Sequence, residues 1–185
     1  TNLAMHGGTV SPTTWYAEFE RQRPPLNYGA SFFYTQARNQ FPLGRYDAAD
    51  SSQIKILVAT AEKALQEGAL GVSFSLEYVP GISRDEILPI LRLAKEYNVP
   101  AFFHARYSDT LAPGTNFEAL DELIGYARTT GVSVHVGHIT STGGTFTMRQ
   151  SLAMIERAQS EGLDITACVY PYNYWGTYLN SARFD

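Results

Sequence analysis

Two histidines stand at matching places in the sequence, and their type and spacing suit a metal site. His104 ends a run that begins at Val99, and His138 ends a run that begins at Val132; both runs are short and apolar, as in β-strands. The interval between them is about one strand plus one helix, so parallel neighbouring strands would carry both imidazoles to one edge of a sheet. Imidazoles with an anionic ligand suit Zn²⁺, which lowers the pKa of a bound water and polarises a carbonyl oxygen.

The ends of these strands and of the one before them add further chemical groups. Glu77 and Tyr78 follow an apolar run, Arg106 lies two residues after His104, and Thr140 lies two residues after His138. Glu77 is a candidate third metal ligand, or else an ion-pair partner of Arg106. A free guanidinium in that place would suit a substrate carboxylate.

The other two histidines are weaker candidates. His135 alternates with His138 along the same strand, so we expect it to face the helices and to be structural. His6 lies in the loop-like sequence Met-His-Gly-Gly. The segment 140–144 is rich in Thr, Ser and Gly and could hold an anion through backbone N–H groups.

A regular alternation of helices and strands after residue 50 must position these residues. Helices are predicted from the capping residues Ser51 and Ser52, from the capping-box sequence Ser83-Arg-Asp-Glu86, from Asn116, and from about Met148. Three of them are predicted to stop at Gly68, Gly131 and Gly162. Strands are predicted over 70–76, 100–103, 132–137 and 164–170.

The predicted strands begin about every 30 residues, which is typical of parallel βα units with right-handed crossovers. Four such units are about half of an eight-stranded barrel. We therefore predict an α/β fold, a partial (β/α)8 TIM-type barrel over 51–185; an open doubly wound sheet is the alternative. Residues 1–50, rich in Pro, Gly and aromatic residues, are predicted to be loop-rich, with a short helix near 15–21.

Composition narrows the range of partners. The 185 residues are 44% hydrophobic and 17% charged with a net charge of −4, which indicates one globular core and no nucleic-acid partner. No apolar run approaches the length of a membrane span, so no membrane partner is expected. The single cysteine, Cys168, fits a reducing compartment, and we expect a cytoplasmic protein.

Four segments occur in an order and spacing that match one family. They are 71–81 (GVSFSLEYVPG), 103–109 (FHARYSD), 134–140 (VHVGHIT) and 165–172 (ITACVYPY), the last followed by Gly176-Thr177. Together they resemble the "G-x-S-x-x-L-x-Y-x-P", "H-x-R-x-E", "V-x-I-S-H-x-K" and "T-A-D-x-Y-P-Y" motifs of the N-acyl-D-amino-acid deacylases, in the amidohydrolase superfamily.

The resemblance implies an incomplete (β/α)8 barrel hydrolase that uses one or two Zn²⁺ ions and cleaves the amide of a small-molecule N-acyl-D-amino acid. His104 and His138 match the family's zinc-binding histidines. Tyr78, Arg106 and Thr177 would lie near positions that bind the substrate carboxylate. Thr140 stands where the family has a lysine, and it completes the predicted substrate-binding set.

Departures from the family pattern limit what this chain can do alone. The early "H-x-H" metal motif and the late general-base aspartate are not in the sequence, so we expect them before Thr1 and after Asp185 and identify no catalytic residue here. The chain is thus predicted to be a central fragment that is inactive alone. The third metal ligand is Glu77, His6 (in place of a family cysteine) or a residue outside the chain.

Other functions stay open at this point. Thr140 in place of lysine admits an amidohydrolase acting on a cyclic amide or a dipeptide. A non-catalytic α/β binding module that holds an anion near 142–144 is the reading from a different class. Unpaired strand edges near residues 70 and 164 predict self-association.

Overall fold

The computed structural model describes residues 1–111, 114–142, 146–179 and 181–184, without the side chain of residue 183. Within these residues, six parallel strands form one sheet in chain order. The strands are β1 (Asn2–Thr9), β2 (Tyr28–Phe33), β3 (Val72–Ser75), β4 (Ala101–His104), β5 (Val134–Val136) and β6 (Ile165–Ala167). The helices are α1 (Pro12–Gln22), α2 (Tyr34–Arg38), α3 (Ser51–Gln66), α4 (Arg84–Glu96), α5 (Asn116–Thr130), α6 (Ile139–Thr142) and α7 (Met148–Ser160), and a 3₁₀ turn spans Ala182–Phe184.

The long helices begin where local capping chemistry is strongest. Ser83 and Glu86 form the predicted capping box of α4, each side chain accepting a backbone N–H of the other residue. The caps of α3 and α5 lie one residue earlier than predicted, at Asp50 and Thr115, which also form capping boxes. These caps fix the residues at which α3, α4 and α5 begin.

The core lies between the sheet and its helices. Phe103 stacks between Phe74 of β3 and Tyr126 of α5, and Val134 and Val136 face the same core. His135 therefore points to the opposite face, which we call the inner face, where its ring meets Phe102 and its Nδ1 lies 2.8 Å from Thr166 Oγ1. The expectation that His135 faces the helices is wrong, because β5 ends at Val136 and the chain turns before His138, which breaks the alternation.

Residues 1–50 contain more regular structure than their composition predicts. They supply β1, β2, α1 and α2, where the sequence indicated loops and one short helix. Neither strand shows an alternating pattern: β2 is buried on both faces over 29–32, and β1 contains a bulge. The loop-rich prediction for this segment is thus incorrect in its secondary structure.

The addition of β1 and β2 also moves an edge of the sheet. The strand near residue 70 is β3, which pairs with β2 and β4, so the described sheet has its edges at β1 and β6. The predicted edge near residue 164 stands, and the one near residue 70 does not; self-association through the edges stays a prediction. Among the described helices, none combines the length and apolar character needed to cross a membrane.

Candidate metal centre

Three imidazole rings converge at the carboxyl ends of the strands. His6 Nε2 lies 3.3 Å from His104 Nδ1 and 3.3 Å from His138 Nε2, and one nitrogen of each ring lies within 4.8 Å of the others. A tetrahedral zinc site with Zn–N bonds of about 2.0–2.1 Å needs ligand nitrogens roughly 3.3–3.4 Å apart. The three imidazoles therefore suit a zinc ion in their chemistry, and the two distances to His6 match the spacing that it needs.

His104 is the last residue of β4, in register with Ser75 of β3. Its Nε2 lies 2.7 Å from Glu77 Oε2, and the other carboxylate oxygen of Glu77 accepts a hydrogen bond from Ser108. Because a carboxylate only accepts, the proton of His104 resides on Nε2 and the lone pair on Nδ1 faces His6. Glu77 thus stands behind His104, in the arrangement that commonly orients a metal-binding histidine.

His138 reaches the cluster through an unusual backbone conformation. Its φ is +34°, a left-handed value that non-glycine residues seldom adopt and that often marks a functional site. Ser141 Oγ lies 2.9 Å from His138 Nδ1 and donates to the His138 carbonyl at 3.0 Å. With Nδ1 donating to Ser141, the Nε2 lone pair faces His6.

His6 arrives by a bulge in β1. Ala4 pairs with Ala30 and Thr9 with Phe32, so residues 5–8 have no register partners on β2 and arch over the inner face. Gly8 allows the arch with a φ of +117°. Gly137 leaves room for the ring, since a Cβ there would lie 3.3 Å from His6 Nδ1. The two glycines after His6 were the available sequence signal for this bulge.

The rings of His6 and His138 are held in the neutral form that a metal requires. Partial burial, followed by the neighbouring His138 and His104, lowers the pKa of His6 to about 4. Burial, with His104 next, also lowers the pKa of His138 from its usual value. The lone pairs of His6 and His138 are thus available near neutral pH.

A cavity of about 420 Å³ opens above the cluster. The Tyr78 hydroxyl lies 3.2 Å from Thr177 Oγ1 at its wall. These two predicted substrate-binding residues therefore meet beside the histidines, whereas Thr140 is not among the described residues that line the cavity. The remaining wall is mostly aromatic: Tyr170, Tyr172, Tyr174 and Trp175.

Arg106 points into a neighbouring cavity of about 350 Å³ instead. Its guanidinium grips Glu122 in a two-pronged ion pair, with Nη2–Oε1 at 2.7 Å and Nε–Oε2 at 2.9 Å. It also donates to the carbonyls of Pro80 at 2.6 Å and Ile82 at 3.0 Å. The carboxylate that pairs with Arg106 is thus Glu122, not Glu77. All three guanidinium nitrogens of Arg106 donate hydrogen bonds to protein oxygens.

The predicted anion site near 142–144 lies largely outside the described residues, which stop at 142 and resume at 146.

Known proteins resemble this chain in sequence and in fold. No family model matches the chain. The curated N-acyl-D-glutamate deacylase of Alcaligenes xylosoxydans xylosoxydans is 26% identical over 180 residues, which are 92% of this chain and 35% of that protein. The solved N-acyl-D-glutamate deacylase of Bordetella bronchiseptica, in complex with zinc and a phosphonate mimic of the tetrahedral intermediate, is 25% identical, with a TM-score of 0.75 over 88% of this chain and 34% of its own.

A solved D-aminoacylase, described as defining a novel subset of amidohydrolases, has a TM-score of 0.76 at 22% identity, over 88% of this chain and 34% of its own. The chain thus spans about a third of the length of these relatives. The likenesses confirm the partial (β/α)8 barrel and the resemblance to the N-acyl-D-amino-acid deacylases.

Proposed function

We propose that this chain carries the zinc centre of an amidohydrolase that cleaves N-acyl-D-amino acids, and that it works as the central part of a longer barrel. The observation that carries the proposal is the convergence of three imidazole rings: His6 Nε2 lies 3.3 Å from His104 Nδ1 and from His138 Nε2, and one nitrogen of each ring lies within 4.8 Å of the others. The likeness to N-acyl-D-glutamate deacylases over about nine-tenths of the chain supports the reaction class.

His6 Nε2, His104 Nδ1 and His138 Nε2 would hold the metal. A bound Zn²⁺ supplies an activated water and polarises the amide carbonyl. Glu77 and Ser141 keep the lone pairs of His104 and His138 aimed at the ion by accepting the proton of the opposite ring nitrogen.

The cavity walls would bind and orient the substrate. Tyr78 and Thr177 offer hydroxyl groups that can donate hydrogen bonds to a substrate carboxylate beside the histidines. The aromatic side chains at 170, 172, 174 and 175 would cover apolar parts of the substrate and exclude water from the reacting amide.

A cyclic amide is a second candidate substrate, favoured by one observation. Arg106 is engaged by Glu122 and two carbonyls, so it is not free to bind a substrate carboxylate. A cyclic amide needs no such partner. A substrate panel on the full-length protein decides between them: faster hydrolysis of N-acyl-D-amino acids than of cyclic amides supports the first candidate, and the reverse order supports the second.

Zinc binding by the 185-residue chain tests the metal centre itself. In competition with a chromophoric chelator, the His104→Ala and His138→Ala variants should lose at least tenfold in zinc affinity, because each removes one of three ligands. His135→Ala is the matched control, since that ring lies on β5 but outside the cluster. Unchanged zinc affinity in both ligand variants would contradict the proposal.

A further inference from the structure

The bulge that carries His6 rests on two buried hydroxyl groups from neighbouring strands. Ser31 of β2 and Ser73 of β3 are 0% and 1% exposed. We infer that this pair, here called the serine clamp, positions His6 for metal binding. The inference rests on the proposed zinc centre and assigns positioning roles to two residues that do not touch the metal ligands themselves.

Both hydroxyls of the serine clamp reach the same carbonyl group. Ser73 Oγ donates to the Gly7 carbonyl at 2.5 Å, and Ser31 Oγ lies 2.9 Å from that oxygen and 3.0 Å from Ser73 Oγ. A carbonyl oxygen has two lone pairs and can accept both bonds. The peptide between Gly7 and Gly8, one residue beyond His6, is therefore held by side chains of β2 and β3.

Backbone pairing between β1 and β2 does not hold the residues around His6 in place. Register between β1 and β2 is lost after Ala4 and resumes at Thr9, so the arch lacks the paired bonds that hold an ordinary strand. Gly8 has no side chain, and a Cβ there would lie 2.1 Å from the Ser31 carbonyl oxygen. The serine clamp thus supplies side-chain hydrogen bonds in the part of β1 that has no register partner on β2.

Ring placement depends closely on this anchor. His6 Nε2 sits 3.3 Å from each partner nitrogen, and a shift of about 1 Å would take it beyond the 2.0–2.1 Å bond that zinc requires. A hydroxyl pair that held only the fold would alter stability without altering the affinity for zinc. The two roles are therefore separable by measurement.

The test compares zinc affinity with thermal stability in the 185-residue chain. We expect Ser31→Ala/Ser73→Ala to lower zinc affinity by about tenfold or more, the range seen when outer partners of ligands are lost. Ser151→Ala is the matched control, because it removes another fully buried hydroxyl, one on α7 that accepts a hydrogen bond from Asn116 of α5 at 3.2 Å. It should lower the melting temperature and leave zinc affinity within twofold of the parent chain.

Zinc affinity within twofold of the parent in the double variant would overturn the inference, whatever its melting temperature. If the double variant does not fold, Ser73→Ala alone serves as the test, because Ser31 remains to bond the Gly7 carbonyl and should keep the chain folded. We expect its zinc affinity to fall threefold or more, and an unchanged zinc affinity overturns the inference.

A second measurement separates this inference from the proposed function. In the zinc-free chain, NMR contacts between the rings of His6 and His138, whose centroids are 4.5 Å apart, should weaken in the double variant and persist in Ser151→Ala. A parent chain that binds no zinc contradicts the proposed function, and the serine clamp is then judged on these ring contacts alone: their persistence in the double variant overturns it.

Discussion

His104 and His138, which lie at the carboxyl ends of β4 and β5, reach the same point as His6 of β1 by a different route. His104 ends β4 and His138 follows β5, and both strands pack into the one continuous core. His6 stands on an arch without register partners, held by the serine clamp and permitted by Gly8. One part of the site thus follows from the packing of the whole domain, and the other from a few local bonds.

This difference separates what stabilises the fold from what completes the site. Loss of a core side chain in the βα units should weaken the fold as a whole, because those units share one continuous core. Loss of a contact at the arch should change metal binding more than stability.

A core truncation in the βα units should give the largest loss of stability. Ile90 of α4 is fully buried, so Ile90→Ala should lower the free energy of unfolding by about 2–5 kcal/mol through lost burial and a residual cavity. Ile56→Ala is the matched control on α3, where the side chain is 48% exposed, and it should change that free energy by about 0.5 kcal/mol or less.

Urea unfolding measures both variants, and zinc affinity is measured on the folded chain. If Ile90→Ala weakened zinc binding as strongly as a variant of the arch does, the separation between a core that stabilises the fold and an arch that completes the metal site would be contradicted.

Adjacent glycines in the arch allow a sharper test. Gly8→Ala forces a side chain into a φ of +117° and against the Ser31 carbonyl, which should cost about 1–3 kcal/mol of backbone strain or displace the arch. Gly7→Ala meets nothing within 4 Å and is the matched control. We expect Gly8→Ala to lower zinc affinity at least tenfold and Gly7→Ala to leave it nearly unchanged. Equal affinities in the two variants would show that the arch is not what positions His6.

The same division explains how far the sequence predicted the molecule. The four βα units after residue 50 were predictable because their apolar runs, capping boxes and stop glycines all indicate the same elements. His104 and His138 follow from that pattern as strand-end residues. Their agreement with the family motifs added the reaction class.

The arch and the pairing of side chains were not predictable in this way. β1 lacks a strand period because its bulge interrupts the ladder, so His6 stood only as one of several third ligands. The places of Glu77 behind His104 and of Arg106 on Glu122 depend on which neighbour fills each site. Tertiary packing determines which side chains pair, and this pairing produces no periodic pattern in the sequence.

Acid should give the smallest effect, a difference between the arch and β5 in how much folding stability is lost as the pH falls. Burial and the neighbouring His138 and His104 lower the pKa of His6 to about 4, whereas burial alone lowers that of His135. Between pH 6.5 and about 4 the unfolded chain therefore binds a proton at His6 that the folded chain does not, so the stability of the zinc-free chain should fall as the pH falls through this window.

His6→Gln should flatten the fall more than His135→Gln, because the pKa shift at His6 is the larger one. Urea unfolding of the chelator-treated chain at pH 7 and pH 4.5 measures the slopes. An acid response left intact by His6→Gln but flattened by His135→Gln would reverse the contrast, since a ring on the regular strand would then be more tightly held in its neutral form than the one on the arch.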